Sequence, residues 1–211
     1  MTATGDSVWV FENQARRNGF FRIAGADEVG RGPLAGPVVS AAVILPAAFS
    51  GGGLTDSKKL TAKQRSRWFD RIYEQALTIG IGIVDPVVID RINILQASLA
   101  AMAMAVGNLF PGPDFVLIDG TFAIPVAIEQ QPVAQGDSRS ISVAAASVVA
   151  KVTRDRLMVR YGQEYPEYGF SSHKGYATKS HMAAIRQNGR CPIHRQSFRG
   201  VCPQYRQEEL F

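Results

Sequence analysis

The chain has 211 residues, 46% hydrophobic and 19% charged, so it holds enough apolar material for a packed core and is neither disordered nor fibrous. Its 23 Lys and Arg against 18 Asp and Glu give a net charge of +5, a lean toward a polyanionic partner that fixes no function alone. No apolar run reaches the roughly 20 residues of a membrane span, and residues 1–13 lack a basic region followed by an apolar stretch, so no membrane association is expected. Cys191 and Cys202 are too few for a disulfide framework and read as reduced thiols of a cytoplasmic protein.

After a short leader, residues 21–26 and the β-branched run 37–45 read as two paired strands, with the turn-rich Gly30-Arg31-Gly32-Pro33 between them. The glycines at 51–53 mark a loop. Thr61 with Gln64 forms a capping box opening a helix, in which Trp68, Phe69, Ile72, Tyr73, Ala76 and Leu77 recur at helical spacing. A strand follows at 78–84. Asn93 with Gln96 starts a second helix, whose Leu95, Leu99, Met102, Val106 and Leu109 form one core stripe. Residues 115–118 make a short apolar strand ending at Asp119-Gly120, and a further strand is expected at 125–131. From Ser138 the pattern is helical, with Ile141, Ala145, Val148 and Val152 on one stripe and Ser140, Ser147, Lys151 and Arg154 on another. A last helix, 178–188, closes with Gly189. This order predicts an α/β domain over residues 1–165, then a compact, mostly helical extension over 166–211.

Four acids stand at element ends. Asp27 and Glu28 lie where the first strand meets Gly30, Asp119 closes an apolar strand, and Asp137 precedes a helix. Functional groups in open α/β sheets collect at strand ends, and carboxylates are hard donors that hold Mg²⁺ or Mn²⁺ while leaving waters and phosphate oxygens in place. A pair of such ions suits phosphodiester hydrolysis. Structural readings compete: Asp137-Ser138 also suits a helix cap, and Asp119-Gly120 an ordinary turn. Neighbouring residues on a regular strand point to opposite faces, so a joint role for Asp27 and Glu28 requires a distorted strand there.

Residues 24–37, AGADEVGRGPLAGP, resemble the opening signature of the ribonuclease HII family, the type 2 ribonucleases H. The likeness continues through DSKKL at 56–60, NILQA at 93–97, IDG at 118–120, GD at 136–137, AAAS at 144–147 with KVTRD at 151–155, HKGY at 173–176 and HRQSF at 194–198. It covers roughly residues 20–201. The resemblance implies a ribonuclease H-like mixed sheet flanked by helices with a C-terminal helical extension. It also implies an endonuclease acting on RNA–DNA hybrids and 5′ of single ribonucleotides in duplex DNA, leaving 3′-hydroxyl and 5′-phosphate ends.

By that resemblance Asp27, Glu28, Asp119 and Asp137 are the metal ligands, Gly30, Arg31 and Gly32 read the ribose, and Tyr176 packs by its 2′-hydroxyl. Glycine lacks a Cβ, which suits close approach of backbone amides to a sugar. Lys58, Lys59, Ser147, Lys151 and Arg154 are candidate phosphate contacts. Setting the four acids aside leaves 14 acidic against 23 basic residues, a basic surface around an acidic pocket. A catalytically silent hybrid-binding module, or another nuclease of this fold, are the alternatives; a mere binder gains nothing from negative charge where phosphate lies. His173, His181, His194 and the cysteines lack the close spacing of a zinc module. Gln207, Glu208, Glu209, Leu210 and Phe211 resemble a peptide that docks on bacterial sliding clamps, and a monomer is expected.

Overall fold

The computed structural model describes residues 7–201. Its centre is a five-stranded mixed sheet in the order β3-β2-β1-β4-β5. β1 (Ile23–Val29) runs antiparallel to β2 (Val38–Ile44) and parallel to β4 (Phe115–Asp119); β3 (Thr78–Val84) extends the sheet beyond β2, and β5 (Glu129–Val133) beyond β4. β2 is buried along its whole length, as its sequence, apolar but for Ser40, suits a strand covered on both faces.

One face of the sheet packs against α2 (Ala62–Gln75) and α5 (Ile141–Glu164), with Ala41 and Val43 of β2 meeting Phe69, Ile72, Ala145 and Val148. The opposite face packs against α3 (Pro86–Gly107), through Ala24, Ala26, Ala42 and Ile44 against Met102, Ala105 and Val106. α5 lies directly on β1: a Cβ at Gly25 would stand 2.1 Å from the Ser142 carbonyl carbon, so only glycine admits the helix this closely.

The capping box at Thr61 and Gln64 forms, and both the hydroxyl and the amide make their reciprocal bonds. Of the proposed stripe on α2, Phe69 and Ile72 are buried, while Tyr73 and Leu77 face solvent. Asn93 does start a helical segment, its Oδ1 accepting from the N–H groups of Leu95 and Gln96, but it does so as a kink within α3 at φ 67°. The turn before it, Pro86 onward, is capped by Asp85 and escaped the sequence reading.

Contrary to the sequence expectation, α3 is long and apolar enough to cross a membrane by length and composition. Its Ala97, Ala101, Met102, Ala105 and Val106 are buried on the sheet, which makes it a core helix. The fifth strand sits further on than the expected 125–131. Ile124, Val126 and Ile128 pack into the α3 face instead, and Pro132 is tolerated because β5 is an edge strand. The helix expected from Ser138 is two: α4 (Gly136–Arg139), then extended backbone at Ser140, then α5.

α1 (Val10–Arg17) was not foreseen. Its fully buried Glu12 accepts from Ser140 Oγ at 2.6 Å and Ser142 N at 3.0 Å, placing a carboxylate at the positive end of α5. Beyond α5 the chain forms a 3-10 turn (Pro166–Tyr168), α6 (Phe170–His173) and α7 (Lys179–Asn188), capped by Thr178 and closed at Gly189. Asp90 of α3 fixes the segment that follows, accepting from Gln196 N and Ser197 N. Substituting Glu12→Ala strands two buried donors at the start of α5 and is expected to cost about 1–3 kcal/mol in urea denaturation; an unchanged midpoint would show that α1 is not coupled to the core.

Candidate active site

β1 and β4 run parallel with Ala26 beside Ile118, the last pair between them, so their next residues, Asp27 and Asp119, stand side by side where the two strands part. The expected distortion at Asp27 and Glu28 is absent. Pairing to β2 continues regularly, Asp27 opposite Ala41, Glu28 opposite Ser40 and Val29 opposite Val39, and the two acids take opposite faces of the strand. Asp27 lies on the α5 side beside Ser147. Glu28 lies on the α3 side, where it lines a cleft of about 90 Å³ with Arg31, Ser98, Met102 and Asp119. What brings them to one site is their position at the strand end, with Asp119 between them.

Asp119 Oδ1 accepts from Gly136 N at 2.7 Å and Asp137 N at 3.4 Å, so β4 itself fixes the turn that carries Asp137. Burial, then the charges of Glu28 and Asp119, hold the Asp27 carboxyl well above the usual carboxylate range. Burial raises Glu28 too, with Asp119 adding to it and Arg31, 3.4 Å away, opposing it. Asp137 is pushed up to about 6 by burial and by the charges of Asp119 and Asp56, against the pull of Lys58. Lys58 is the matching cation: its partial burial works against the charged form, yet Asp56, Asp27, Asp137 and Asp119 together raise its pKa. Asp56 is therefore a fifth acid of the site that the sequence reading passed over, although the Asp-Ser-Lys-Lys string pointed to it.

Among the described residues, no three His, Cys, Asp or Glu side chains form a ready-made metal cage. Mg²⁺ does not need one, since it binds through one or two carboxylates and completes its shell with waters and phosphate oxygens. The donor set fits that ion class: hard oxygen ligands, mutually repelling and partly desolvated, which a divalent cation relieves. A larger hollow of about 500 Å³ beside Trp9, Phe49 and the glycines at 51–53 holds no carboxylate and is remote from this chemistry.

Two expected phosphate contacts are corrected. Arg154 is completely buried, its guanidinium donating to the carbonyls of Pro37, Ala35 and Lys174. Ser147 is buried, its hydroxyl bonded to Ser57 Oγ at 2.9 Å and facing Asp27. Both lie on the inner side of α5, which the helical stripe alone did not separate from its polar side. Lys58 and Lys59 are exposed, and the half-buried Lys151 pairs with Asp155 at 2.7 Å.

Gly30 has φ +97°, and a Cβ there would stand 2.3 Å from Arg154 Nε, so glycine is required by the fold. Gly32 is different: a Cβ there would meet only the Tyr176 ring, at 3.8 Å, so the protein itself has room for one. Tyr176 is exposed beside this turn.

The three histidines and Cys191 do converge, but His181, His194 and Cys191 form a hydrogen-bond chain, while His173 stacks on His181 and bonds to Tyr168 O and Gly175 N. His181 Nδ1 meets Tyr176 O at 2.9 Å, His181 Nε2 meets His194 Nε2 at 3.0 Å, and His194 Nδ1 accepts from Cys191 N at 2.9 Å. A consistent proton assignment has His181 donating to the carbonyl and His194 donating to His181, which leaves both rings neutral and no lone pair for zinc. Burial lowers the His181 pKa and, with the neighbouring His181, takes His194 down to about 4, while burial raises the Cys191 thiol to about 11. Cys202 and the residues from 207 to 211 lie outside the described residues.

A mixed five-stranded sheet with carboxylates at adjoining strand ends defines a ribonuclease H-like nuclease. The ribonuclease HII family profile matches residues 24–201. The ribonuclease HII of Geobacter metallireducens is 58% identical over 195 residues, 92% of each chain. Ribonuclease H2 from Pyrococcus horikoshii superposes with a TM-score of 0.72 at 26% identity, covering 86% of this chain and 95% of its own. The Archaeoglobus fulgidus ribonuclease HII, solved in complex with PCNA, gives 0.67 at 23% identity over 90% of this chain and 98% of its own. The chain belongs to the ribonuclease HII family. It is an endoribonuclease that cuts the RNA of RNA–DNA hybrids.

The unfolded chain binds protons on histidine near the ordinary pKa of about 6.5, whereas folded His194 resists them down to about 4. The unfolded state therefore takes up more protons between these values, and these rings cost stability as pH falls through that window. The raised site carboxylates act with the opposite sign. Comparing the parent with His194→Gln isolates the histidine share: from pH 7 to 5 the variant should lose less thermal stability than the parent in calorimetry. Equal losses would mean that His194 takes up its proton as readily in the fold as in the unfolded chain.

Proposed function

We propose that this endonuclease also cuts 5′ of single ribonucleotides embedded in duplex DNA, leaving 3′-hydroxyl and 5′-phosphate ends, with Mg²⁺ or Mn²⁺ held by Asp27, Glu28, Asp119 and Asp137. The observation that carries the reading is the continuity of one short stretch: Asp27 and Glu28 run straight into Gly30-Arg31-Gly32, and Gly32 borders Tyr176 from the C-terminal segment. Groups suited to a scissile phosphate and groups suited to a ribose thus belong to one turn.

Bound at the acids, a pair of such ions supplies an activated water and charge stabilisation for the leaving oxygen. The protein's own contributions follow from its contacts. Asp119, bonded to the Gly136 amide, holds the Asp137 turn against the strand end. Ser147 and the Glu28 N–H hold the Asp27 carboxyl from the α5 side. Arg31 pairs with Glu28 and is half exposed, free to follow a backbone phosphate when one arrives. The exposed Lys58 and Lys59 contribute sequence-independent phosphate attraction.

Incubation with duplex DNA carrying one ribonucleotide tests the reading. Cleavage 5′ of that residue is expected with Mg²⁺ or Mn²⁺ and not with a chelator, and an all-DNA duplex should stay intact. Asp119→Asn keeps an Oδ1 acceptor for the Gly136 amide but removes a charge. Partners that only orient a ligand are worth about 10–100-fold, so losing a ligand should cost more than about 100-fold in cleavage. The metal-free variant should be as stable as the parent or more so, because a repulsion is gone. Cleavage of all-DNA duplex, or a clear stability loss in Asp119→Asn, would overturn the assignment.

A sliding clamp is the second partner in this reading, through Gln207 to Phe211. Support comes from the sequence of that peptide and from the Archaeoglobus fulgidus protein solved with PCNA. Deleting Leu210 and Phe211 should abolish clamp binding in surface plasmon resonance and spare cleavage; unchanged affinity retires the idea.

A further inference from the structure

We infer that the buried Arg195 and Arg154 are positioning residues for ribose recognition: by capturing inward-turned carbonyls they aim the Arg31 and Gly32 amides at the substrate beside Tyr176. This rests on the reading of Gly30-Arg31-Gly32 as the ribose-facing turn.

Accounting for the backbone carbonyls of residues 30–37 gives the argument its first step. Arg195 Nη2, Nη1 and Nε donate to Gly30 O, Arg31 O and Gly36 O at 2.6, 3.0 and 2.9 Å. Arg154 Nη2 and Nε donate to Ala35 O at 3.0 Å and Pro37 O at 2.9 Å, and Leu34 O accepts from the backbone of Arg195. Six carbonyls of this stretch therefore face inward. A trans peptide is planar with its C=O and N–H opposed, so fixing Gly30 O and Arg31 O inward turns the Arg31 and Gly32 N–H groups outward. Neither N–H donates to a group among the described residues, and both residues lie at the surface.

Arg154 also reaches the other wall of the turn. Its Nη1 donates to Lys174 O at 3.0 Å, and Gly175 O accepts from Leu34 N at 2.8 Å. Tyr176 follows at once, its carbonyl held by His181. One guanidinium thus sets the spacing between the glycine turn and the tyrosine.

The charge itself is informative. Both side chains have no exposed surface, and neither takes part in the ion pairs found among the described residues. Burial lowers their pKa values, to about 9 for Arg195 and about 10 for Arg154, which leaves both cationic at neutral pH. Carbonyls are the hydrogen-bond partners of both guanidinium groups, and Arg195 also lies over the Phe198 ring at 5.0 Å; burying two cations in this way is a costly means of bracing a loop that neutral donors or apolar packing would also brace. A cation behind a peptide carbonyl polarises that peptide and strengthens its outward N–H as a donor. That donor is what a ribose hydroxyl or its phosphate requires.

The test measures discrimination, which a bracing role alone would not move. In the Asp119→Asn background, which prevents turnover, affinity is measured for duplex DNA with one ribonucleotide and for the same duplex without it. Adding Arg195→Lys, which keeps the charge but not the three-carbonyl fork, should lower the ratio of the two affinities by about tenfold or more, equivalent to about 1.4 kcal/mol. Affinity for the all-DNA duplex should change less than about twofold, because phosphate attraction remains. Arg154→Lys should act likewise. A retained ratio with a lowered melting temperature would overturn the inference and leave both arginines as braces. A background protein that shows no preference at all would instead refute the ribose-facing reading beneath it. Should either lysine variant fail to fold, guanidinium NMR of the unsubstituted arginines decides: the Arg195 signals must shift with the ribonucleotide duplex and not with the all-DNA one, and equal response to both contradicts the proposal.

Discussion

Negative charge concentrated at the ends of β1 and β4 governs this structure. Asp27, Glu28, Asp119 and Asp137 sit where the sheet stops, partly desolvated and within reach of one another's fields, with Lys58 and Arg31 as the near cations. Apart from Asp119, which holds the Asp137 turn, these acids take no part in the apolar packing. The core closes without them, through alanine and β-branched residues of β1 and β2 against α3 and α5. A fold that holds such groups together at the expense of raised pKa values stores a demand for positive charge, and a divalent cation meets it where a protein side chain meets it only in part.

The second constraint is that the acids and the glycine turn share a strand. β1 fixes Asp27 through regular pairing, and three residues later the chain enters a stretch, residues 30–37, in which the two buried arginines hold six of the eight carbonyls. The C-terminal segment supplies Arg195, Tyr176 and the histidine chain, so residues far apart in sequence set the face that the turn presents. The segment beyond α5 is irregular outside its short helices and is ordered by side chains bonded to backbone, through Asp90, Arg154, Arg195 and the imidazoles.

Much of this was legible beforehand. The strands read at 37–45, 78–84 and 115–118 announced themselves as apolar runs, Thr61 with Gln64 and Asn93 with Gln96 as helix starts, and Gly189 as a helix end, because such signals are local. What escaped was set by distant contacts. α1 is short and polar, and its Glu12 finds its partners 128 and 130 positions away. The fifth strand was misplaced because residues 124–128 look like a strand but serve as packing beneath α3. Arg154 and Ser147 were assigned to a polar stripe of α5, yet both are on its buried side, one under the glycine loop and one behind Asp27. The sequence singled out the four acids but not how they come together, at a regular strand end rather than a distorted one. Asp56 and Arg195 carried no local signal beyond their place in a familiar string.

The most direct measurement of the central claim is anomalous diffraction from crystals grown with Mn²⁺. Manganese peaks bounded by the carboxylates of Asp27 and Asp119, with Glu28 or Asp137 completing the contacts, are the predicted result. Metal found only elsewhere on the surface, with these four side chains unliganded at saturating Mn²⁺, would contradict the account.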